Sequence, residues 1–313
     1  MATRCGTIAI IANPAAQNGR GAWTAVEAAS LLRAKVGEGG FKLLLTERAG
    51  HATALAAQLG PEVGAVVALG GDGLINEVAC GLMERDADER PVLGVIPAGS
   101  GNDYAATLGM ASSLPAAIDQ ILAFRTGPAD VGRVNGHYFV ETLSFGLDAA
   151  IALDTVERRV RTGRAGTRLY LESAVDQLFH HLNIYDFTAR FEGVPNAEPD
   201  VRTVEAAAYL LAVQIGPTYG GHFRITPDAA LDDGLFDVCW AVPELAPRRA
   251  LAVLLAARFG RHTGNKHIHF QRSRALTLDF DQEPPAQIDG EKITGTHFAI
   301  DCIPHALTVV LGH

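Results

Sequence analysis

Three short stretches of this chain combine glycine with polar or acidic side chains in a way that suits phosphate chemistry. Gly70-Gly71-Asp72-Gly73 follows an apolar run and opens a helical pattern. A strand, a glycine turn and a helix start let backbone N–H groups and the positive helix end come close to a phosphate. A carboxylate at Asp72 would repel a bare triphosphate. It suits a site where Mg²⁺ lies between, directly or through water, or where it orients a nearby donor. Taken alone, such a cluster is equally a plain structural turn. The other two stretches are Asn13-Pro14 through Gly19-Arg20-Gly21, and Pro97-Ala98-Gly99-Ser100-Gly101-Asn102-Asp103. A fourth, Asp232-Asp233-Gly234, is acidic; it offers a hard cation one carboxylate, nearby carbonyls and room for waters, or it is an ordinary turn with solvated carboxylates.

These loops need elements to hold them. Residues 7–12, 42–46, 64–69 and 92–96 are short apolar runs ending in turn residues. Continuous rather than alternating hydrophobicity predicts parallel strands covered on both faces. Between them Ala52, Leu55, Ala56 and Leu59, then Ile75, Val78, Ala79, Leu82 and Met83, repeat at helical spacing, as do Leu114, Ala117, Ile118, Ile121 and Leu122. Alternating strand and helix predicts an open parallel α/β sheet with ligands at the carboxyl ends of its strands. All three glycine loops then fall on one edge and can converge on one nucleotide.

From about residue 130 the texture changes. Val134-Asn135-Gly136-His137 reads as a hairpin turn, since Asn-Gly takes the positive φ angles a tight turn needs. Strand-like segments follow at 207–215, 235–242, 267–270, 276–280 and 298–303, interrupted by one helix over about 167–182. Residues 192–202 are polar and contain proline, which predicts a surface loop. The expected architecture is an α/β nucleotide-binding domain with a parallel sheet over residues 1–127, then a predominantly antiparallel β domain over 128–313.

The net charge of −9 over 313 residues argues against nucleic acid, for which a basic field is expected. The early cation Arg4 and the run 8–12 are too little for a secretory leader. The apolar stretches 206–213 and 250–257 fall far short of the roughly 20 residues that span a bilayer. A cytoplasmic protein is expected, with Cys5, Cys80, Cys239 and Cys302 as buried thiols, because their spacing suits neither a metal nor a disulfide framework.

The glycine loops also carry a resemblance. Asn13-Pro14, Gly70-Gly71-Asp72-Gly73 with Asn76-Glu77-Val78, and Gly99-Ser100-Gly101-Asn102-Asp103 resemble the diacylglycerol kinase catalytic-domain family, which includes soluble bacterial lipid kinases, sphingosine kinases and ceramide kinases. The resemblance continues through Ser144-Phe145-Gly146-Leu147-Asp148-Ala149, Pro227-Asp228, Leu231-Asp232-Asp233-Gly234 and Asp289-Gly290-Glu291, in the same order along nearly the whole chain. It implies an α/β domain followed by a β-sandwich, with the active site in the interdomain cleft, and transfer of the γ-phosphoryl group of ATP to a lipid hydroxyl. By position, Asn13, Thr46, Gly70, Gly71, Asp72, Gly73, Asn76 and Ser100 would line the nucleotide site. Glu291 would be the base, with Asp289 orienting it or a metal-bound water. Asp233, with the main-chain oxygens of Ala230 and Leu235, matches a loop that holds a structural Mg²⁺ in some bacterial members. Leu74 stands where those members usually have Thr, as in sphingosine kinases, and Ser100 stands where Thr is commoner. Both departures bear on which lipid is the acceptor.

A lipid acceptor implies reversible association with a membrane surface. Arg158, Arg159, Arg161, Arg164 and Arg168 form a basic segment that could meet anionic headgroups, or could be a solvated loop leading into a helix. Two other functions stay open: a kinase for a soluble acceptor, of the NAD-kinase type, and a nucleotide-binding module without catalysis. Against the first, Asn76-Glu77 follow the glycine turn directly; against the second, Glu291 is present. His267 and His269 point the same way along a strand but have no companion ligand, and Asp279, Asp281 and Glu283 precede a Pro-Pro turn; none of these is counted as a site.

Overall fold

The computed structural model describes residues 6–16, 19–164 and 166–313; Arg4 and Cys5 lie outside them. The chain divides into two units, Met1–Ala129 with His305–His313, and Asp130–Pro304.

The first unit alternates β1 (Thr7–Ala12), α1 (Arg20–Val36), β2 (Phe41–Leu45), α2 (His51–Ala57), β3 (Val63–Gly70), α3 (Asp72–Met83), β4 (Val92–Pro97), α4 (Asp103–Thr107) and α5 (Leu114–Ala123). The strands pair in the order β2-β1-β3-β4, every pair parallel. Ile8, Ile10, Ile11, Val66 and Leu69 are wholly or almost wholly buried, so both faces of the sheet are covered, which is why these strands lack a polar alternation.

The second unit runs through β5 (Thr126–Val134, which begins in the first unit), β6 (His137–Phe139), β7 (Thr142–Gly146), α6 (Leu147–Thr162), α7 (Thr167–His180), β8 (Tyr185–Glu192), β9 (Val201–Ala208), β10 (Leu210–Gln214), β11 (Phe236–Ala241), α8 (Pro247–Ala257), β12 (Ile268–Ser273), β13 (Ala275–Phe280), β14 (Ala286–Ile288), β15 (Glu291–Ile293) and β16 (His297–Val310). The last residues of β16 return to the first unit, where Val309 pairs with Leu93 of β4. One antiparallel series is β16-β13-β8-β9; the other is β12-β11-β10-β7-β14-β15. Phe145 packs at 5.1 Å from Phe280 and 4.8 Å from Phe298, within a core that also takes Phe187, Phe191, Phe236 and Trp240. On the other face of β10 and β11, Ala212 and Cys239 meet Ile151, Tyr170 and Phe223 beneath the helices. That second sheet is therefore buried on both faces.

Several expectations are corrected. Three helices, not one, interrupt the strands. The first of these, α6, carries so many charges that its short buried stripe, Ala149, Ile151 and Thr155, is masked in the sequence. The apolar run 207–215 is not one strand but breaks at Tyr209: Ala208 pairs with Tyr185, while Leu210 pairs with Gly146 in the other sheet. Tyr185–Glu192 is a strand that alternates buried and exposed residues, a pattern visible in the sequence and missed there. Its partner Val201–Ala208 is a largely exposed edge and gives little signal. Cys80, Cys239 and Cys302 are free; burial pushes the Cys302 thiol up to about 12 and the Cys239 thiol higher still, so neither is a nucleophile. No helix among the described residues is long and apolar enough to cross a membrane.

Candidate active site

Because β1, β2, β3 and β4 are parallel, their carboxyl ends share one edge, and the expected nucleotide residues of the first unit start from it. Asn13 follows β1 and folds its loop back: its Oδ1 accepts the Ala15 N–H at 2.9 Å. A Cβ on Gly21 would lie 2.2 Å from the Asn13 carbonyl oxygen, so this close return requires glycine. Thr46 follows β2, is buried, and donates its N–H to the Ala12 carbonyl at 2.9 Å.

Gly70 ends β3 and Asp72 starts α3. The Asp72 carboxylate reaches the loop after β4, where Oδ2 accepts the Asn102 N–H at 2.9 Å and Oδ1 the Tyr104 N–H at 3.4 Å. Asn102, at φ 59°, closes that loop on itself; its Oδ1 accepts the Gly99 N–H at 2.7 Å. The two loops meet backbone to backbone, for a Cβ on Gly99 would fall 2.3 Å from the Gly71 Cα. Asp72 thus orients donors, one of the two roles open to it from sequence. A carboxylate has about four acceptor positions, so Asp72 can hold this loop and still meet a hydrated cation. A Cβ on Gly73 would meet nothing within 4 Å, which leaves the first turn of α3 open to a ligand. Asn76 is buried one turn further along α3, while Ser100 is exposed. Glu77 faces away from this edge: its Oε2 accepts the Ala52 N–H at 3.1 Å, in the first turn of α2.

In the second unit the Asp289-Gly290 turn joins β14 to β15, with φ of 45° and 92°. Positive φ at both central residues gives the tight two-residue hairpin that Asp-Gly favours. The Asp289 carboxylate accepts three backbone N–H groups, from Val140 at 2.8 Å, Glu141 at 3.2 Å and Thr142 at 2.8 Å. It ties the turn to residues 140–142. Gln287 supports the same turn, accepting the Gly290 N–H at 2.6 Å and donating to Ser144 Oγ at 2.7 Å. Gln287 was missed in the sequence, although a glutamine inside the apolar strand Ala286–Ile288 was the available signal. Glu291 starts edge strand β15 and is exposed, which leaves its carboxylate open to a substrate.

The Asp233 loop is arranged differently from a metal cage. Its Oδ1 accepts the Leu235 N–H at 3.1 Å, and its other oxygen pairs with the Arg272 guanidinium. Arg272 Nε also reaches Asp237 at 3.3 Å. The guanidinium occupies the Asp233 oxygen that a cation would take, although Asp232 and Asp237 keep the surroundings acidic, so as arranged the residues do not fit an additional Mg²⁺ held by Asp233, Ala230 and Leu235. Among the described residues no group of three or more His, Cys, Asp or Glu side chains is placed to hold a metal ion. His269 stacks on Trp240 at 5.4 Å.

Beneath α6, α7 and α8 lies a small apolar cavity of about 60 Å³, with Ile151, Leu178, Tyr209, Val253 and Leu254 among its lining. Two polar groups face it, Asp148 and His262, and both are buried. His262 donates Nε2–H to the Ile225 carbonyl at 2.9 Å, and burial holds its pKa below the usual value. Asp148 starts α6; burial pushes its carboxyl up to about 7, against hydrogen bonds from Ser144 and Tyr170. The cavity had no sequence signal, since its lining comes from six separate elements.

Residues 7–134 match the diacylglycerol kinase catalytic domain, and residues 141–311 match the YegS C-terminal NAD kinase beta sandwich-like domain. A diacylglycerol kinase of Staphylococcus saprophyticus is 27% identical over 248 residues, covering 79% of this chain and 76% of the relative. A diacylglycerol kinase of Bacillus subtilis is 28% identical over 234 residues, covering 72% and 70%. A Yersinia pestis protein named "Probable lipid kinase YegS-like" is 28% identical over 246 residues, covering 78% of each chain. In fold, the chain is similar to the crystal structure of a diacylglycerol kinase from Bacillus anthracis, with a TM-score of 0.73 at 19% identity, covering 99% of this chain and 98% of that one.

Proposed function

The chain belongs to the diacylglycerol kinase catalytic-domain family, with the YegS-type carboxyl-terminal domain, and from that premise we propose an ATP-dependent lipid kinase that moves the γ-phosphoryl group of ATP onto a lipid hydroxyl. Membership makes phosphoryl transfer the activity class. The finer parts of the reading, the nucleotide, the acceptor and the membrane, rest on the residues.

ATP is assigned to the carboxyl edge of the first unit. The Gly70–Gly73 turn offers N–H groups at the start of α3, and Asp72 fixes the Asn102 loop beside it. Mg²⁺ carried with the nucleotide would supply charge neutralisation at the phosphates, with Asp72 the carboxylate of this edge. Phosphoryl transfer depends mainly on positioning and on such neutralisation. Glu291 takes the proton of the lipid hydroxyl as its oxygen bonds to the γ-phosphorus. The bond from that phosphorus to the bridging oxygen breaks, and ADP leaves. Asp289 keeps Glu291 in place through its three N–H contacts.

The observation that carries the acceptor assignment is the apolar lining under α6, α7 and α8; the cavity there is only about 60 Å³, so a hydrocarbon chain would enter by parting those apolar side chains, and the lining offers little to a polar metabolite. Action at a membrane surface, by a cytoplasmic protein that associates reversibly, follows from that acceptor. A second reading, a soluble acceptor, draws on the NAD kinase-like description of the matched carboxyl-terminal domain. Turnover of ATP with detergent-dispersed diacylglycerol, sphingosine, ceramide and NAD in parallel separates the two. Phosphorylation of one of the lipids is expected; phosphorylation of NAD alone would replace the proposal with the second reading.

A further inference from the structure

Residues 245–266 carry five cations and no carboxylate, in a chain whose net charge is −9. They form α8 and the turns after it. Two of these cations, Arg248 and Arg249, sit in the first turn of α8, which holds no acidic residue. The positive end of a helix dipole disfavours cations there, so helix stability does not account for them. Both are exposed, as are Arg261 and Lys266. Arg258 is engaged elsewhere, donating to the Gly221 carbonyl at 3.0 Å and lying over the Phe223 ring.

The helix also has two apolar faces. Ala250, Val253, Leu254 and Ala257, at helical spacing, line the cavity. Arg248, Ala252, Leu255 and Phe259 continue the opposite stripe outward; Leu255 is 46% exposed and Phe259 66%. An ordinary surface helix keeps its outer face polar. Arg261 lies over the Phe259 ring at 5.9 Å, and a leucine and a phenylalanine between arginines that form no ion pair among the described residues have the chemistry of a helix that rests in a lipid headgroup layer. In the basic segment nearer the middle of the chain, Arg159 and Arg161 are exposed, but its other three arginines are engaged. Arg158 pairs with Asp154 and Asp176, and Arg164 and Arg168 both pair with Glu172.

We propose that α8 and the turn through Lys266 are the docking surface for an anionic phospholipid bilayer, so that the helix lining the cavity on one side meets the membrane with the other. This deepens the lipid-kinase reading and rests on it for the choice of partner. A nucleic acid would also answer the charge, but not the exposed Leu255 and Phe259.

The test is sedimentation of the full chain, without ATP, on phosphatidylcholine vesicles with and without phosphatidylglycerol. Binding is expected to require phosphatidylglycerol and to weaken with salt. The pair Arg248→Gln with Arg249→Gln is expected to lower the partition coefficient by about tenfold or more, since each cation near such a surface contributes about 1 kcal/mol. Phe259→Ser should lower it as well, and Arg159→Gln with Arg161→Gln should leave it within about twofold on the same scale. Thermal unfolding and turnover on detergent-dispersed acceptor confirm that each variant is folded. Unchanged vesicle binding in the α8 variants, loss only in the Arg159 and Arg161 pair, or loss of duplex DNA binding in place of vesicle binding would each overturn the proposal. Turnover on dispersed lipid answers the kinase reading separately.

Discussion

Asp289 and Glu291 lie two residues apart in different surroundings, one holding backbone donors and the other exposed. Glu291→Gln keeps the shape of an exposed side chain, so stability should change by less than about 0.5 kcal/mol. Turnover should fall by about 10²–10⁴-fold, the usual range for losing a general base, while ATP affinity holds. Asp289→Asn turns an amide toward backbone donors that the carboxylate now satisfies. It should cost about 2 kcal/mol in chemical unfolding and lower turnover through a displaced Glu291. Equal stability of the two variants would show that Asp289 does not hold the turn. Asp148 adds a pH signature. Its folded pKa, about 7, lies above the ordinary value of 3.8, so its stabilising contribution is complete below the unfolded value and is lost as pH rises to about 7. Asp148→Asn escapes that loss. Its stability relative to the natural chain should therefore rise by about 2–3 kcal/mol between pH 5 and pH 8. Urea unfolding at both pH values measures this, and a constant difference would mean that the carboxyl is not held neutral.

At the scale of elements, the contact between the glycine loops can be tested by size. Gly99→Ala places a methyl 2.3 Å from the Gly71 Cα, so the loops must part. A displacement of about 1 Å near the phosphates can cost about 10²-fold in kcat/KM, and thermal stability should fall too. Gly73→Ala meets no protein atom. It should leave stability intact and weaken ATP binding alone, if phosphate occupies that space. Loss of stability without loss of ATP affinity in Gly73→Ala would remove α3 from the nucleotide site. In the second unit, the Arg272 guanidinium on Asp233 predicts that Mg²⁺ or a chelator, without nucleotide, leaves Tm unchanged. A Mg²⁺-dependent rise in Tm that disappears in Asp233→Ala would instead place an ion in the loop. The elements also show what a sequence can reveal. Gly70–Asp72 and Asn102 follow β3 and β4, whose parallel order is implied by βα alternation, so the meeting of these two loops was legible. The three N–H partners of Asp289 lie nearly 150 residues away in sequence, and no local pattern announces them. Nor does the change of sheet at Tyr209, which a continuous apolar run conceals.

For the whole molecule, the change from covered parallel strands to paired antiparallel ones was readable because the two architectures bury different faces. Three helices over one sheet of the second unit were not. Their charges and their alanine-rich composition hid both the cavity and the outward face of α8. Those features bear on the acceptor, and the acceptor is where the account is most exposed to test. The direct measurement is incubation of the full chain with total membrane lipid and ATP labelled in its γ-phosphoryl group, followed by mass spectrometry of the organic extract. The account predicts label in a phosphorylated lipid, produced by the natural chain and reduced by about 10²-fold or more in Glu291→Gln. Label that appears only in water-soluble products, or lipid labelling that Glu291→Gln leaves unchanged, would contradict it.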